Sequence, residues 1–301
     1  MRRAIITGGL GFIGHHLWHT MQKHDYQVAV IDDVRFASKD LIRSRHQYCN
    51  NNLWYHNSSD NLDLLEELAY GYDTVVYHLA SHPNQASVAE HPYEAATNIV
   101  ATTARIAQFC KERRLKLVYV SSSMVYGNFQ TDYVAEDHPL QPINMYGLYK
   151  KQAEEIVREV LPRNHVIIRP SAVYGPRDDG KRVISKWMQE ARANDNLTVQ
   201  NPGAMLDFTY VTDVVQGLLL AGQYDKPDTF NITAGYARSL GEAAQMIVNA
   251  TDSCSRVIHT YGSQKSQPKR GALNIEHAQR NLIYQPKVML EEGIAKLRSE
   301  K

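Results

Sequence analysis

A tyrosine and a lysine four residues apart are the first residues of this chain with an evident chemistry. Tyr146 and Lys150 form the pattern Y-x-x-x-K, and on a helix residues four apart share one face. A free phenol has a pKa of about 10. A neighbouring ammonium favours the phenolate and brings it into the range of a general base. The pair predicts proton transfer with a substrate hydroxyl, although the pattern alone is common by chance.

Three consecutive serines, Ser121 to Ser123, follow the apolar run Leu117–Val120. In a doubly wound sheet the carboxyl ends of the strands line the ligand crevice, where a serine can hold a substrate hydroxyl or carbonyl. The alternative for such a run is a strand cap or a turn. From the serines alone, that structural role is the favoured interpretation.

A glycine-rich turn lies near the N-terminus, between the apolar strand Ala4–Thr7 and a helical pattern over His15–His24. Gly8, Gly11 and Gly14 give the spacing G-x-x-G-x-x-G. A sharp turn that leaves a strand, approaches a pyrophosphate and enters a packed helix has no room for a Cβ at such points. The helix N-terminus then offers N–H groups to the phosphates. The strand–turn–helix context favours dinucleotide binding over a purely structural glycine turn.

An acidic residue follows the glycine turn at the position that selects the dinucleotide. Asp32 ends the second strand, Val28–Ile31, and can accept hydrogen bonds from the adenosine ribose hydroxyls. A carboxylate there repels a 2′-phosphate, so the sequence favours NAD, although the nearby Arg35 leaves NADP as an alternative. Asp60 and Asn61 are weaker candidates for contacting adenine, against an ordinary loop.

The composition sets the wider limits. The chain has 301 residues, 43% hydrophobic and 22% charged, which excludes a mainly disordered protein. Because 33 basic residues face 32 acidic ones, there is no overall field to hold nucleic acid or an acidic membrane. No apolar run approaches the roughly 20 residues of a membrane helix. Three distant cysteines suit neither a disulfide framework nor a CxxC metal site. We expect a cytoplasmic protein without a nucleic-acid or membrane partner.

Short apolar runs alternate with helical stretches, which predicts an α/β fold with a parallel sheet covered on both faces. The expected strands include Thr74–Tyr77, Leu117–Val120 and Val166–Ile168, and the expected last helix is Leu290–Arg298. The composition shifts after Pro170. We therefore expect a dinucleotide-binding domain over residues 1–170, with a return segment near 207–232, and a mainly substrate-binding domain over 171–301.

The chain resembles the extended short-chain dehydrogenase/reductase superfamily, in its NAD-dependent sugar epimerase/dehydratase branch, nearly end to end. The similar segments are Thr7–Gly14 (TGGxGFIG), His78–Ser81 (HLAA), Ser121–Gly127 (SSSxVYG), Tyr146–Lys150 (YxxxK), Arg169–Pro176 (RPxxVYGP), Asp207–Val214 (RDFxxVxDV without its Arg) and Leu282–Gly293. The resemblance implies a Rossmann-type doubly wound sheet with a smaller C-terminal α/β domain that binds substrate.

The resemblance also implies roles for individual residues. Tyr146 would be the catalytic base, Lys150 its pKa modifier and a ribose contact, and Ser122 the catalytic hydroxyl, four residues before Tyr126. The cofactor contacts would be Gly8, Gly11, Phe12, Ile13, Gly14, Asp32, Asp60, Asn61, Leu79, Ala80, Ser81, Tyr146, Lys150 and Pro170. The substrate contacts would be Ser122, Ser123, His82, Tyr146, Arg177 and Arg270. No metal is expected, although His15 and His19 share a helix face.

The chemistry implied by the resemblance is inversion of a nucleotide sugar at C4, through a 4-keto intermediate, by an epimerase that recycles NAD. Ser123 and Met124 stand where dehydratases of the family carry Asp-Glu, which disfavours a 4,6-dehydratase. A decarboxylase is disfavoured because its Glu is also replaced by Met124. A keto-sugar reductase or dehydrogenase and a non-catalytic dinucleotide-binding regulator stay open as alternatives.

Other departures concern substrate binding and assembly. Ala172 and Leu206 replace an Asn and an Arg that contact the substrate diphosphate in the family, so another cation is expected to serve: Arg177, Arg182, Lys269 or Arg270. By the same resemblance, helices around Pro92–Arg113 and Tyr146–Val160 would pair with a second subunit in a four-helix bundle, which predicts a homodimer.

Overall fold

The structure is a computed structural model that describes residues 2–24, 26–37, 53–69, 74–178, 180, 182–262 and 268–299. Its main sheet has seven parallel strands: β1 (Arg2–Thr7), β2 (Tyr26–Asp32), β3 (Leu53–His56), β4 (Thr74–His78), β5 (Lys116–Val120), β7 (His165–Arg169) and β11 (Asp228–Asn231). The spatial order is β11-β7-β5-β4-β1-β2-β3. The expected parallel sheet is therefore confirmed, with the order reversing at β1 and β4.

Helices cover both faces of this sheet. They include α1 (Phe12–Gln22), α2 (Leu62–Ala69), α3 (Gln85–Glu90), α4 (Pro92–Ala96), α5 (Thr102–Arg113), α6 (Met145–Val160) and α8 (Val211–Gln223), and a π-helical turn, Thr97–Ala101, joins α4 to α5. The helix between α6 and α8 in the chain, α7 (Val183–Arg192), packs outside this sheet, with the later strands. Leu17 and Trp18 of α1 are buried with Val214 of α8 on one face. Ile106 of α5 and Val157 of α6 are buried on the other.

The first helix begins earlier than the sequence pattern predicts. It starts at Phe12, with Gly11 as its N-cap, instead of at His15. The pattern misses the first turn because that turn is occupied by the glycine motif and not by an amphipathic repeat. The N-terminus of α1 therefore lies inside the glycine turn itself.

Three small sheets lie outside the main sheet, two of them formed entirely by the later part of the chain. β8 (Ala172–Tyr174), β10 (Met205–Tyr210) and β12 (Ala237–Ser239) form one; β9 (Leu197–Gln200) pairs with β13 (Val257–Thr260), and β6 (Tyr133–Val134) with β14 (Ala272–Leu273). The remaining helices are α9 (Leu240–Thr251), α10 (Glu276–Leu282) and α11 (Leu290–Ser299). A third apolar cluster, with Trp187, Phe208 and Ile294, holds this part together. The boundary at residue 170 stays a prediction.

Candidate active site

One cleft lies at the carboxyl ends of β1, β2, β4 and β5, where the strand order reverses. Open α/β sheets bind ligands at this position. Most of the residues named from the sequence line it: Gly8, Gly11, Phe12, Ile13, Gly14, Asp32, Leu79, Ala80, Ser81, His82, Ser122, Tyr146, Lys150, Pro170 and Arg177. The same cleft therefore brings the glycine turn, residues 8–14, together with the Y-x-x-x-K pair.

The glycine turn has no space for side chains at two of its glycines. Gly8 has a φ of +72°, and a Cβ there would lie 2.6 Å from the main-chain nitrogen of Ala80. A Cβ on Gly14 would lie 2.2 Å from the carbonyl oxygen of Gly8. Gly11 caps α1 without a side-chain hydrogen bond. The first-turn N–H groups of α1 are thus bare main chain at the cleft, which fits the diphosphate of a dinucleotide.

Asp32 holds the glycine turn against β2. Its buried carboxylate accepts hydrogen bonds from the main-chain nitrogens of Leu10 at 2.9 Å and Val34 at 2.8 Å. Burial raises the pKa of Asp32, and these two N–H donors oppose that shift. The residue singled out for ribose binding therefore also shapes the turn, a role the sequence pattern does not reveal.

Lys150 is buried at the end of β5. Its ammonium donates a hydrogen bond of 2.8 Å to the carbonyl oxygen of Val120 and lies 6.0 Å from the ring centre of Tyr146. Burial lowers the pKa of Lys150 to about 7, and the carboxylate of Glu154 opposes this shift. Lys150 thus has a lowered pKa and links α6 to the strand that leads into the serines.

The pKa of Tyr146 differs from the sequence-based expectation. Burial raises it, while a hydrogen bond with Ser122 and the charge of Arg182 lower it. Lys150 donates its hydrogen bond to the carbonyl oxygen of Val120 and not to the phenol, and its expected effect on the pKa of Tyr146 stays a prediction. Arg182, whose guanidinium lies 4.8 Å from the ring centre of Phe12, is the cation that acts on the phenol.

Ser122 combines the two roles that the sequence left open. Its hydroxyl oxygen accepts a hydrogen bond of 3.2 Å from the main-chain nitrogen of Met124, and so caps a short 3-10 helix, Ser123–Tyr126. The same side chain bonds Tyr146 and lines the cleft. A structural cap and a site hydroxyl are therefore compatible at this position.

Some predicted cofactor contacts lie away from the cleft. Asp60 pairs with Arg105 at 3.1 Å, and the side chain of Asn61 accepts from the main chain of Leu64 at 3.1 Å, at the start of α2. Neither residue lines the cleft, although Ser58 and Ser59 do. The structure thus places the preceding serines, and not the predicted pair, in the lining of the cleft, and an adenine contact by Asp60 or Asn61 stays a prediction.

His82 lines the cleft, but both of its ring nitrogens already have partners. Nδ1 lies 2.8 Å from the hydroxyl of Ser87, and the amide of Asn98 lies 3.3 Å from Nε2. The ring also packs against Phe36, with ring centres 4.9 Å apart. These contacts engage both ring nitrogens within the protein, and a contact of His82 with substrate stays a prediction.

Arg270 and Ser123 meet at the edge of the cleft. The guanidinium of Arg270 bonds the hydroxyl of Ser123, lies 2.7 Å from the sulfur of Met124 and 3.5 Å from the hydroxyl of Ser171. Burial lowers the pKa of Arg270 to about 10. Neither Arg270 nor Ser123 lines the cleft itself, whereas Ser171 does.

Arg177 lies on the cofactor side of the cleft. Its guanidinium is 2.8 Å from Nε2 of His15, in the first turn of α1. Burial and the charge of Arg177 lower the pKa of His15 to about 3, so that ring is neutral and accepts from the arginine. Across the part of the chain that the structure describes, no three His, Cys, Asp or Glu residues come together as a metal site.

Cleft residues that the sequence did not reveal include Asp33, Phe36, Asn98, Thr102 and Ser171. Asn98 and Thr102 follow β4 inside a long predicted helix. No motif distinguishes these two residues, so only the three-dimensional arrangement shows that they reach the cleft.

The profile of the NAD-dependent epimerase/dehydratase family matches residues 4–233. The chain belongs to this family. The resemblance drawn from the motifs is thereby confirmed, and NAD is the family's cofactor. The parts of this chain that fit NAD are the glycine turn, Asp32 and the Y-x-x-x-K pair.

Individual relatives agree with this assignment. The chain is 28% identical over 302 residues to a putative UDP-glucose 4-epimerase of Methanocaldococcus jannaschii, covering 97% of this chain and 96% of that protein. It is 27% identical to UDP-glucuronic acid decarboxylase 1 of Xenopus tropicalis, covering 98% of this chain and 71% of that one. Epimerases and decarboxylases are thus both among its relatives.

A solved structure confirms the fold. The crystal structure of UDP-glucose 4-epimerase from Thermotoga maritima, with UDP-glucose, superposes with a TM-score of 0.89 at 23% identity, covering 97% of this chain and 96% of the other. The Rossmann-type sheet with a C-terminal part is therefore as expected. Within the described residues, no helix has the length and apolar character needed to span a membrane.

Proposed function

We propose that this protein is a nucleotide-sugar 4-epimerase that keeps and recycles its NAD. The observation that carries this proposal is the meeting of Ser122, Tyr146 and Lys150 in the cleft that also holds the glycine turn. Family membership supports an NAD-dependent epimerase or dehydratase. The position of Met124 then favours epimerisation within that family.

The proposed roles follow from the contacts. Burial alone raises the pKa of Tyr146, and the positive charges of Lys150 and of the nicotinamide ring of bound NAD would favour its phenolate. That phenolate takes the proton of the sugar 4-hydroxyl and later returns it, and the hydroxyl of Ser122, already bonded to Tyr146, also bonds that sugar oxygen. Lys150 fixes the geometry through Val120. Bound NAD supplies the acceptor and donor of the C4 hydride. The chain's residues therefore move the proton and hold the oxygen.

Met124 argues against elimination or decarboxylation. Its sulfur lies 2.7 Å from a guanidinium nitrogen of Arg270. Water elimination needs an acid and a base beside C5 and C6, and a thioether can supply neither. The hydroxyl of the neighbouring Ser123 accepts a hydrogen bond from Arg270. Ser123 and Met124 therefore contact Arg270, and Tyr146 is the residue proposed to transfer the proton.

We infer that Arg270 binds the substrate diphosphate in place of the contacts missing at Ala172 and Leu206. Both of those residues pack against the third apolar cluster and do not line the cleft. Arg270, in contrast, is held by hydroxyls at the cleft edge. In the described part of the chain no carboxylate lies within ion-pair distance of it. Its charge is thus available for an anionic group.

We also infer a homodimer through α4, α5 and α6. Tyr93 on α4 is 87% exposed, and Ile143, Met145 and Leu148 at the start of α6 expose apolar surface. Pairing these helices with a second copy would bury that surface. Size-exclusion chromatography with light scattering tests this: a dimer is expected, and a Leu148→Lys variant should be monomeric. A monomer for the unaltered protein would refute it.

The function is tested by releasing and then following the small molecules. Denaturing the purified protein should release about one NAD per chain, identified by mass spectrometry. Incubating the protein with UDP-glucose or UDP-N-acetylglucosamine deuterated at C4 should give the C4 epimer with the deuterium retained. Stoichiometric accumulation of NADH would instead indicate a dehydrogenase. Loss of CO₂ from UDP-glucuronic acid would indicate a decarboxylase.

A further inference from the structure

Arg35 stands where a cation could bind the 2′-phosphate of NADP. It follows Asp32 by three residues, lines the cleft, and is more than two-fifths exposed at its side chain. An arginine close to the end of the second strand is the usual partner of a 2′-phosphate in this kind of fold. Its position alone would therefore favour NADP, against the argument from Asp32.

The structure shows that this guanidinium is already occupied. Nε lies 2.7 Å from the carboxylate of Asp33, and a second nitrogen also bonds that carboxylate. That second nitrogen also lies 3.3 Å from the amide oxygen of Asn98, and the remaining nitrogen bonds the carboxylate of Glu94. All three guanidinium nitrogens thus have acceptors, two of them carboxylates.

These two carboxylates come from opposite sides of the cleft. Asp33 lies in the loop after β2, whereas Glu94 lies in α4, which follows β4. The packing of Phe36 against His82 joins the same two sides. Arg35 is therefore drawn across the cleft toward α4, and its charge is more than balanced by its neighbours.

We propose that Glu94 is a cofactor-specificity residue, which holds Arg35 away from the ribose 2′ position and so excludes NADP. Asp32 and Asp33 leave that position negative once Arg35 is engaged. The selection of NAD then depends on a residue 62 positions along the chain from Asp32 as well as on Asp32 itself. This inference concerns the cofactor only and does not depend on the sugar or the reaction.

The test is a competition for binding that needs no turnover. The unaltered protein and its variants are dialysed against equal concentrations of NADH and NADPH, and the bound ratio is measured by mass spectrometry. Glu94→Ala should raise the NADPH fraction about five- to tenfold, because one charge-assisted contact to a phosphate becomes possible at a partly exposed site. Adding Arg35→Ala to Glu94→Ala should remove the gain.

A matched control is available in another ion pair of similar exposure. Glu66 pairs with Arg113 between α2 and α5, away from the cleft. Glu66→Ala should leave the NADH to NADPH ratio unchanged, and thermal melting checks that every variant is folded. An unchanged ratio in Glu94→Ala would overturn the proposal. So would a gain that persists in the double variant, since Arg35 would then not be its source.

Discussion

The ammonium of Lys150 donates a hydrogen bond of 2.8 Å to the main-chain carbonyl of Val120, the last residue of β5. This contact joins the helix that carries Tyr146 to the strand that leads into Ser122. The ammonium therefore donates to the main chain and not to the phenol of Tyr146, whose pKa burial raises. Lys150 acts here by placing the phenol and the serine side by side.

Removing one hydroxyl should separate catalysis from cofactor binding. Tyr146→Phe is expected to abolish detectable epimerisation, a loss of at least about 10²–10⁴-fold for a general base. Bound NAD should stay near one equivalent, because the glycine turn and Asp32 are intact. The two measurements are an assay of sugar-nucleotide turnover and mass spectrometry of released NAD. Full activity in this variant would refute the role of Tyr146 as the general base.

The buried Lys150 should make stability rise with pH. Its pKa is about 7 in the folded protein and near its ordinary value of 10.5 when unfolded. Between these values the unfolded chain binds the extra proton, so the free energy of unfolding increases with pH, by up to about 1.4 kcal/mol per unit for one proton. Below pH 7 this contribution is constant.

Comparison with Lys150→Met isolates this group. The free energy of unfolding of both proteins is measured by denaturant titration from pH 7 to 9.5. At pH 7 the unaltered protein should have the lower free energy of unfolding of the two. This difference should narrow or reverse as the pH rises, because only the unaltered protein carries the buried lysine. Parallel pH profiles would show that Lys150 keeps its proton in the folded state.

The glycine turn should be intolerant of a single methyl group. Gly14→Ala places a Cβ 2.2 Å from the carbonyl oxygen of Gly8, which is main chain and cannot move away alone. We expect a lower melting temperature and weak or absent NAD binding. Gly203→Ala is the control, because a Cβ there has no atom within 4 Å. Equal melting temperatures for the two variants would contradict this account of the turn.

Arg270 should affect substrate binding and leave the cofactor untouched. Arg270→Met keeps a similar volume but removes the charge, and a lost charge-assisted phosphate contact of about 1.5–3 kcal/mol corresponds to a roughly 10- to 150-fold weaker affinity for UDP and UDP-sugars. NAD binding should not change. Arg280→Met, which breaks an exposed pair with Glu276, serves as control. Unaltered UDP affinity would assign the phosphate contact elsewhere.

The sequence predicted the sheet and the centre of the cleft because short-range signals specify them. The strand around Ile5, the glycines after it and Asp32 all lie within one β-α-β unit, where spacing determines position. Residues held by distant partners could not be predicted in the same way. His82 was expected to face substrate, yet Ser87 and Asn98 bind both of its ring nitrogens.

Other hydrogen-bond partners were equally inaccessible from the sequence. Asp60 and Asn61 were expected near adenine, which stays a prediction, and their contacts with Arg105 on α5 and with the first turn of α2 carry no sequence signal. The pKa effect assigned to Lys150 depended on where its ammonium finds an acceptor, and a main-chain carbonyl carries no sequence signal. A helical spacing of four residues fixes which side chains share a face and leaves their hydrogen-bond partners undetermined.

Strand β11 enters the main sheet beside β7 only after the chain has built β8, β9 and β10. During synthesis, one edge of β7 therefore has no partner strand until residues 228–231 have been made. A fragment that stops at residue 170 would keep that edge permanently unpaired, and exposed strand edges recruit other chains. We therefore expect a fragment that ends at residue 170 to associate with other chains, because it lacks the strand, residues 228–231, that completes its sheet.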